Sequence, residues 1–333
     1  MARYVPPAVC RQPIFETSTV FFKEPKIITM LAILMQIAPL FIIILIGIIF
    51  GKWNARFNET TVSELNKYAY YIGYPCLMIN SLMSIDEVLP TEIKAALLNV
   101  GILVLLTILI LVIGQKVLKN QRLINTYFIC CIFGNIAYLG FPLVTSLNAS
   151  YKTGASLHIA GYLIVIFTLG IGRLEYIKGK GDFSIKKLAI SIATNPLLLS
   201  TVIGLAILMF KIPIPDLIAK TIKMVAVSAS PTVLLALGIF MIKHKLHREV
   251  LFHASTIAIL KLLLVPLLFL ICSVSLFSNQ NFDVSIIMAA MPVAITPFVL
   301  SEIYDLDKRI VVTSIIVSTI LSIISIPLII YLM

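Results

Sequence analysis

The feature that most constrains this chain is a helix-breaking stretch inside a long apolar segment. Residues 134–142 (GNIAYLGFP) include Gly134, Gly140 and Pro142, and they lie near the middle of the apolar residues 124–148. A segment of this length spans a bilayer as a helix, yet proline removes a backbone hydrogen bond and glycine adds backbone freedom. Non-helical backbone at membrane depth is tolerated only where it is buried in protein or lines a wet cavity. The stretch therefore predicts a broken membrane helix at a functional position.

A second apolar segment carries the same kind of interruption. Residues 283–303 contain the stretch 291–298 (MPVAITPF), with Pro292 and Pro297. Two interrupted helices in corresponding halves of a transporter indicate a binding site where they meet. Glycine and proline are also common in ordinary membrane helices, so a pair of packing kinks is the alternative interpretation.

The chain is too apolar to fold in water. Hydrophobic residues make up 60% of its 333 residues and charged residues 12%, whereas a soluble domain has about 25% charged residues. Its long apolar runs are typical of membrane helices and not of the alternating strands of a barrel. We therefore predict an all-α integral membrane protein. Ten spans are expected, at residues 30–50, 66–84, 93–116, 124–148, 156–176, 188–210, 220–242, 254–277, 283–303 and 309–332.

Positive charge is concentrated in every second loop. The formal net charge is +11, and the Lys and Arg residues cluster in short loops between apolar segments. This pattern is a topology signal and argues against nucleic-acid binding. The odd-numbered loops carry most of these cations and are expected to be cytoplasmic. Both termini would then lie on the outer side of the cell inner (plasma) membrane.

The two halves of the chain repeat a pattern of proline and glycine. Ala38-Pro-Leu40 with Gly47 recurs as Asn195-Pro-Leu197 with Gly204, Lys67 with Pro75 recurs as Lys223 with Pro231, and Pro142-Leu-Val144 recurs as Pro297-Phe-Val299. The offsets are 157, 156 and 155 residues. The unit holds five spans, an odd number, so the second copy would insert in the opposite orientation. We expect two inverted five-helix repeats, residues 30–187 and 188–333, with spans 4 and 9 as crossed broken helices.

The first 29 residues differ from the rest of the chain. They mix basic and acidic residues and lack an apolar core followed by a small-residue cleavage site, so no signal peptide is expected. Met30 opens the first span directly. We therefore expect residues 1–29 to be a dispensable extension or the product of an upstream start codon.

Broken helices offer binding groups without charged side chains. The half-helix after a break presents free N–H groups and a positive dipole end, and the half before it presents free carbonyl groups. Crossing two such helices produces one place for an anion and one for a cation. The Asn135 amide is a candidate donor to a carboxylate, and Thr296 offers a hydroxyl at the matching depth.

Lys261 is the ionisable residue placed most deeply in a predicted span. Intramembrane charges mark function, so its ammonium group either attracts an anionic substrate or binds backbone carbonyls as a structural element. No Asp or Glu lies centrally in a span, so no carboxylate proton relay is visible and the coupling ion, H⁺ or Na⁺, stays open. The cysteines and histidines show no metal-binding or zinc-hydrolase spacing. No cofactor, metal site or catalytic residue is expected.

The motifs around the two interruptions resemble those of the auxin efflux carrier family, which includes plant PIN-type carriers and bacterial malate and malonate permeases. The resemblance covers residues 30–333 and is to the compact bacterial-type members, because the long cytoplasmic loop of many plant members is absent. It rests on residues 135–142 (NIAYLGFP) and 290–304 (AMPVAITPFVLSEIY), with Asn195-Pro-Leu197 and Gly204, Ser230-Pro231, Leu237-Gly238, and Lys261 with Pro266.

This resemblance implies an architecture similar to that of bile-acid sodium symporters. Spans 1, 2, 6 and 7 would form a scaffold, and spans 3–5 and 8–10 would form a moving transport domain, with a homodimer as a family-level expectation. It also implies that Asn135, Pro142, Pro292 and Pro297 lie at the substrate site. The candidate substrate-binding residues are Gly134, Asn135, Tyr138, Gly140, Pro142, Lys261, Pro292, Thr296 and Pro297.

These features together predict a secondary transporter in the lipid bilayer. Its partner would be a small organic anion, a mono- or dicarboxylate such as malate, moved by alternating access. Two alternatives remain: a membrane receptor or sensor that binds a ligand without moving it, and a passive anion channel.

Overall fold

The computed structural model describes residues 26–85, 88–179, 190, 193–276 and 282–333, which form helices joined by short connections. The helices are α1 (Lys26–Trp53), α2 (Glu59–Tyr68), α3 (Tyr74–Met83), α4 (Pro90–Val117), α5 (Gln121–Ile132), α6 (Phe141–Leu147), α7 (Tyr151–Val165), α8 (Gly172–Lys178), α9 (Pro196–Phe210), α10 (Asp216–Lys243), α11 (Leu251–Ile259), α12 (Val265–Leu276), α13 (Asp283–Ala289), α14 (Thr296–Ile303) and α15 (Lys308–Leu332).

Six helical stretches are long and apolar enough to cross a membrane: Met30–Trp53, Pro90–Val117, Tyr151–Lys178, Asp216–Lys243, Arg248–Ser273 and Lys308–Leu332. Large apolar side chains cover their outer surfaces, for example Leu97, Ile108 and Ile113 on α4. A contiguous apolar surface of this kind suits hydrocarbon and not water. The prediction of a helical, multi-pass membrane protein is confirmed.

The other four predicted spans fall on shorter helices. Residues 66–84 lie on α2 and α3, residues 188–210 include α9, and residues 124–148 and 283–303 each form two helices separated by a non-helical break. The interruptions predicted from glycine and proline are therefore present. Of the predicted extension 1–29, only residues 26–29 are among those described.

The helices do not begin at the same residues as three of the predicted spans. Helix α1 begins at Lys26, although its membrane-spanning stretch begins at Met30 as predicted, and α2 begins at Glu59, before the predicted span start at residue 66. Helix α9 begins at Pro196, inside the predicted span 188–210, because the Asn195 side chain accepts hydrogen bonds from the N–H groups of Leu197 and Leu198, at 2.9 and 3.2 Å. Residues 188, 189, 191 and 192 of that span lie outside the described residues. A capping residue satisfies first-turn donors and so sets where a helix starts.

Wider, π-helical turns adapt several helices to proline. Residues 69–73, 136–140 and 260–264 form such turns, and Pro75, Pro142 and Pro266 follow two residues later. Proline lacks an N–H group and its ring collides with the carbonyl one turn earlier. A turn with an extra residue relieves this collision without ending the helix.

Helix contacts divide the chain into two groups. Helix α1 packs along α10, and α3 packs against α9 and α10. In the second group α4 packs on α7, α11 on α15, and α12 on α13. Fewer contacts join the groups, mainly α1 with α6 and α15, α10 with the turn 136–140, and α3 with α7. The two broken helices belong to the second group and face the first.

Candidate functional site

The two non-helical breaks cross and pair with each other. The Asn135 N–H donates to the Pro292 carbonyl at 2.8 Å, and the Ala294 N–H donates to the Phe133 carbonyl at 2.9 Å. These two bonds form an isolated antiparallel pairing of Gly134 with Val293. Backbone groups freed by the breaks thus satisfy one another, as buried backbone in a bilayer must.

Two hydroxyl groups from neighbouring helices hold the crossing in place. The Tyr162 hydroxyl accepts a hydrogen bond from Gly134 N–H at 2.6 Å and itself donates to the Ile132 carbonyl. The Ser318 hydroxyl accepts from Val293 N–H at 3.1 Å. Sequence reasoning missed both residues, although a signal existed, because their separation of 156 residues equals the repeat offset.

Asn135 lies where the first broken helix resumes. Its carbonyl accepts hydrogen bonds from Leu139 N–H at 3.2 Å and Gly140 N–H at 3.0 Å, so the helical pattern of residues 136–147 starts here. The backbone N–H groups of the first turn have no acceptor within the helix, because no helical residue precedes them. The Asn135 side chain is only 3% exposed, and it does not accept a capping hydrogen bond from the turn that follows it. Free N–H groups, a positive helix end and the amide group of Asn135 together favour an anion.

The ammonium group of Lys261 lies beside the same crossing. Lys261 is 2% exposed, and its Nζ donates to the Ala289 carbonyl at 2.9 Å. A Cβ atom built on Gly134 would lie 3.0 Å from both Cε and Nζ of Lys261. Gly134 therefore leaves the room that the ammonium group occupies.

The second broken helix resumes at Thr296. Thr296 and Pro297 form the first turn of α14, where proline costs no hydrogen bond because these N–H groups have no helical partner. The Phe298 N–H donates to the Ile295 carbonyl at 2.8 Å. The Thr296 side chain is exposed on the surface of the chain, whereas Pro297 is buried. Thr296 and Asn135 therefore differ in environment: Thr296 is exposed, and Asn135 is buried.

Tyr138 and Gly140 lie on the helical turn that follows Asn135. The Tyr138 ring packs edge-on against Tyr74 of α3, with ring centroids 5.7 Å apart. The Tyr74 hydroxyl is buried and has no hydrogen-bond partner among the residues that the structure describes. Gly140 packs directly on Met288 and Met291 of the second broken helix. This turn thus contacts both helix groups at once.

Pro142 borders a cavity of about 230 Å³ between the two helix groups. Its walls come from α1, α3, α6 and α10, with the hydroxyl-bearing Thr145 and Ser230 among otherwise apolar residues. The other lining residues are Leu40, Ile43, Leu77, Phe141, Ala226, Val227, Pro231 and Leu234. None of the described residues that line it carries a charge. The cavity therefore suits the apolar body of a small molecule and leaves its charge to other groups.

Most of the predicted site residues converge on one region. Gly134, Asn135 and Pro292 form the crossing, Lys261 contacts it, and Gly140 packs across it. Among the described residues, no three His, Cys, Asp or Glu side chains are grouped so that they could hold a metal ion.

Comparison with known proteins gives consistent matches. The family model described as membrane transport protein matches residues 32–330. An uncharacterized transporter of Methanothermobacter thermautotrophicus is 25% identical over 300 residues, which cover 86% of this chain and 94% of the relative. An uncharacterized transporter of Methanocaldococcus jannaschii is 26% identical over 304 residues, with the same two coverages of 86% and 94%. Neither name states a substrate.

Proposed function

Because the chain belongs to the membrane transport protein family, that of the auxin efflux carriers, we propose that it is a secondary transporter of a small organic anion. The observation that carries this proposal is the crossing of two broken helices, where Asn135 N–H and Pro292 carbonyl meet at 2.8 Å. The half-helix ends buried at such a crossing carry partial charges, so they can attract an ion without the help of a charged side chain.

The proposed architecture has ten spans in two inverted repeats. Contacts related by the repeat offset support it: Gly47 on α1 packs on Gly238 of α10, and Gly204 on α9 packs on Leu82 of α3. Adding 157 to Gly47 gives Gly204, and adding 156 to Leu82 gives Gly238. The same contact is thus made twice with the halves exchanged, which is what a pseudo-two-fold axis requires.

We assign the first helix group to a scaffold and the second to a moving transport domain. The few contacts between the groups and the cavity beside Pro142 support this division. Alternating access would then move the crossing relative to α1, α3 and α10, so that the cavity opens to one side of the membrane at a time. The basic odd-numbered loops would face the cytoplasm, with both termini outside the plasma membrane.

The substrate carboxylate would bind at the start of the helix that follows Asn135. A single carboxylate is neutralised there by N–H groups, the helix dipole and the Asn135 amide. The apolar cavity walls favour a carboxylate with an apolar body over one with a second carboxylate group, since burying an unpaired charge is costly. Malate and an apolar monocarboxylate such as phenylacetate are therefore the informative pair of probes.

Counterflow in proteoliposomes tests the proposal. Vesicles preloaded with unlabelled malate or phenylacetate are given a trace of the radiolabelled compound, and its accumulation is followed with time. Counterflow needs no coupling ion, so the unknown driving force does not affect the result. The wild type should show saturable accumulation of at least one probe.

Asn135→Ala locates the site within the same experiment. Loss of a hydrogen bond to a charged group should lower exchange by about tenfold or more, with insertion and thermal stability unchanged. Asn148→Ala is the matched control, since Asn148 ends the same broken helix in an exposed position. Ligand binding without accumulation would identify a receptor, and flux without saturation a channel. Exchange that is unaffected by Asn135→Ala would place the substrate elsewhere.

A further inference from the structure

Lys261 is a buried cation for which the described part of the chain provides no carboxylate. Its side chain is 2% exposed, and none of the ion pairs that the structure contains includes it. A buried charge without compensation is strongly destabilising. Some other negative partner must therefore stabilise this ammonium group.

That partner is the carboxyl end of a broken helix. The Lys261 Nζ donates to the carbonyl of Ala289, the last residue of α13, at 2.9 Å. A helix that ends inside a protein leaves carbonyl groups and the negative end of its dipole unpaired. In crossed-helix transporters such carbonyls and unwound backbone are where a coupling cation binds.

The other broken helix confines the same ammonium group. Position 134 lies two residues beyond the end of α5, and any side chain there would meet Lys261, since its Cβ would lie 3.0 Å from Nζ. The Lys261 ammonium thus lies between the carboxyl ends of both first half-helices. The repeat-related position, 156 residues earlier, is Leu105, which is apolar and 41% exposed. The lysine is therefore present in only one of the two halves: span 8 has it, and the corresponding position of span 3 does not.

We propose that the Lys261 ammonium group is a built-in cation of the crossing, which occupies the position where a sodium ion would bind between the half-helix carboxyl ends. Lys261 is then a positioning residue: it holds Ala289 and the Gly134 backbone in place, and no sodium ion enters. This inference concerns the coupling ion of the proposed transporter, but its test requires no transport.

Thermal unfolding of the purified protein in detergent tests the proposal. Tm is measured in NaCl and in choline chloride at equal ionic strength, because choline is too large for the position. The wild type should have the same Tm in both salts. Lys261→Ala should have a lower Tm in choline chloride, and NaCl or methylammonium chloride should raise it by a few degrees, as a ligand that binds only the folded state does.

Two further variants test separately the charge and the volume of the Lys261 side chain. Lys261→Met fills the position without a charge, so its Tm should be low and insensitive to NaCl. Lys261→Arg keeps the charge and should behave like the wild type towards both salts. Lys223→Ala, which removes an exposed lysine of α10, is the control for loss of a positive charge.

The outcomes decide between the proposal and its alternatives. A sodium-specific rise in the Tm of the wild type would overturn it, and this measurement stands even if Lys261→Ala does not fold. A folded Lys261→Ala whose Tm responds to no small cation would also overturn it. The Tm measurements do not depend on malate or phenylacetate counterflow, so either proposal can be refuted while the other stands.

Discussion

Gly140 and Met288 touch across the two broken helices: a Cβ atom at position 140 would lie 2.8 Å from the Met288 sulfur atom. It would also lie 2.9 Å from Cγ of Met291. Both neighbours are ends of flexible side chains and not backbone, so they can shift. Because glycine has no side chain, the helix after the first break can approach the second broken helix closely at position 140.

Gly140→Ala should therefore leave the protein folded and impair its transport. Displacing the two methionines should cost about 1–3 kcal/mol of stability, as overpacking of a core does, and should shift the half-helix that carries Asn135. Counterflow and thermal unfolding are measured together. Gly154→Ala is the control, because a Cβ there would meet Val284 at an ordinary 3.7 Å. Exchange at the wild-type rate in Gly140→Ala would show that this spacing is unimportant.

Gly238→Ala should be far more harmful to stability than substitutions at glycines whose neighbours are flexible side chains. A Cβ at position 238 would lie 2.8 Å from the Ile48 N atom and 2.9 Å from the Gly47 Cα atom, both backbone atoms of α1. Backbone cannot move aside as a side chain can, so α1 and α10 would have to separate. Size-exclusion chromatography and Tm should show aggregation or a marked loss of stability.

Gly101→Ala is the matched control for that substitution. It also lies within a helix, α4, but no atom from elsewhere in the described chain stands within 4 Å of its Cβ position. Alanine is a better helix former than glycine by about 1 kcal/mol, so Tm should stay equal or rise. Equal effects of Gly101→Ala and Gly238→Ala would contradict the close contact of α1 with α10.

Tyr162→Phe should loosen the crossing without changing its shape. It removes the hydroxyl that accepts from Gly134 N–H and donates to the Ile132 carbonyl. Leaving buried donors and acceptors unpaired should cost about 1–3 kcal/mol. Ser318→Ala should have a smaller effect of the same kind, because it leaves only Val293 N–H unpaired. Hydrogen exchange at Gly134 and Val293 measures both, and unchanged protection in Tyr162→Phe would refute its role.

Asn135→Asp should abolish anion exchange more completely than Asn135→Ala. Aspartate has nearly the same shape, but its negative charge would stand where the substrate carboxylate is proposed to bind, and like charges at such a position cost several kcal/mol. Counterflow of malate and phenylacetate measures the loss. If Asn135→Asp exchanges either anion faster than Asn135→Ala does, the side chain does not face the substrate.

Ala226→Phe should block transport by filling the cavity beside Pro142. Ala226 is a buried residue of α10 on the wall of this cavity of about 230 Å³, so a phenyl ring has space to enter without unfolding the protein. We expect lost counterflow with Tm near that of the wild type. Ala226→Ser adds only one atom and should keep exchange. Normal exchange by a folded Ala226→Phe would remove the cavity from the substrate path.

Residues whose partners are near in sequence were predictable. The two helix breaks follow from Gly134, Pro142, Pro292 and Pro297, since proline and glycine act on their own backbone. Helix starts were also encoded locally but were overlooked: Asn58 and Thr61 form a capping box before α2, and Asn195 caps α9. Composition and long apolar runs, which are also read directly from the sequence, indicated a membrane protein, and loop charge predicted its orientation.

Tertiary structure decided everything that depends on distant partners. Nothing local to Tyr162 indicates that its hydroxyl meets Gly134, and nothing local to Lys261 distinguishes a substrate-binding ammonium from one that holds the Ala289 carbonyl. These contacts join residues 28 positions apart along the chain. The sequence by itself determined where the helices break, because backbone chemistry is local. Only folding determined what the broken ends bind, because their hydrogen-bonding groups are satisfied by whichever helix packs beside them.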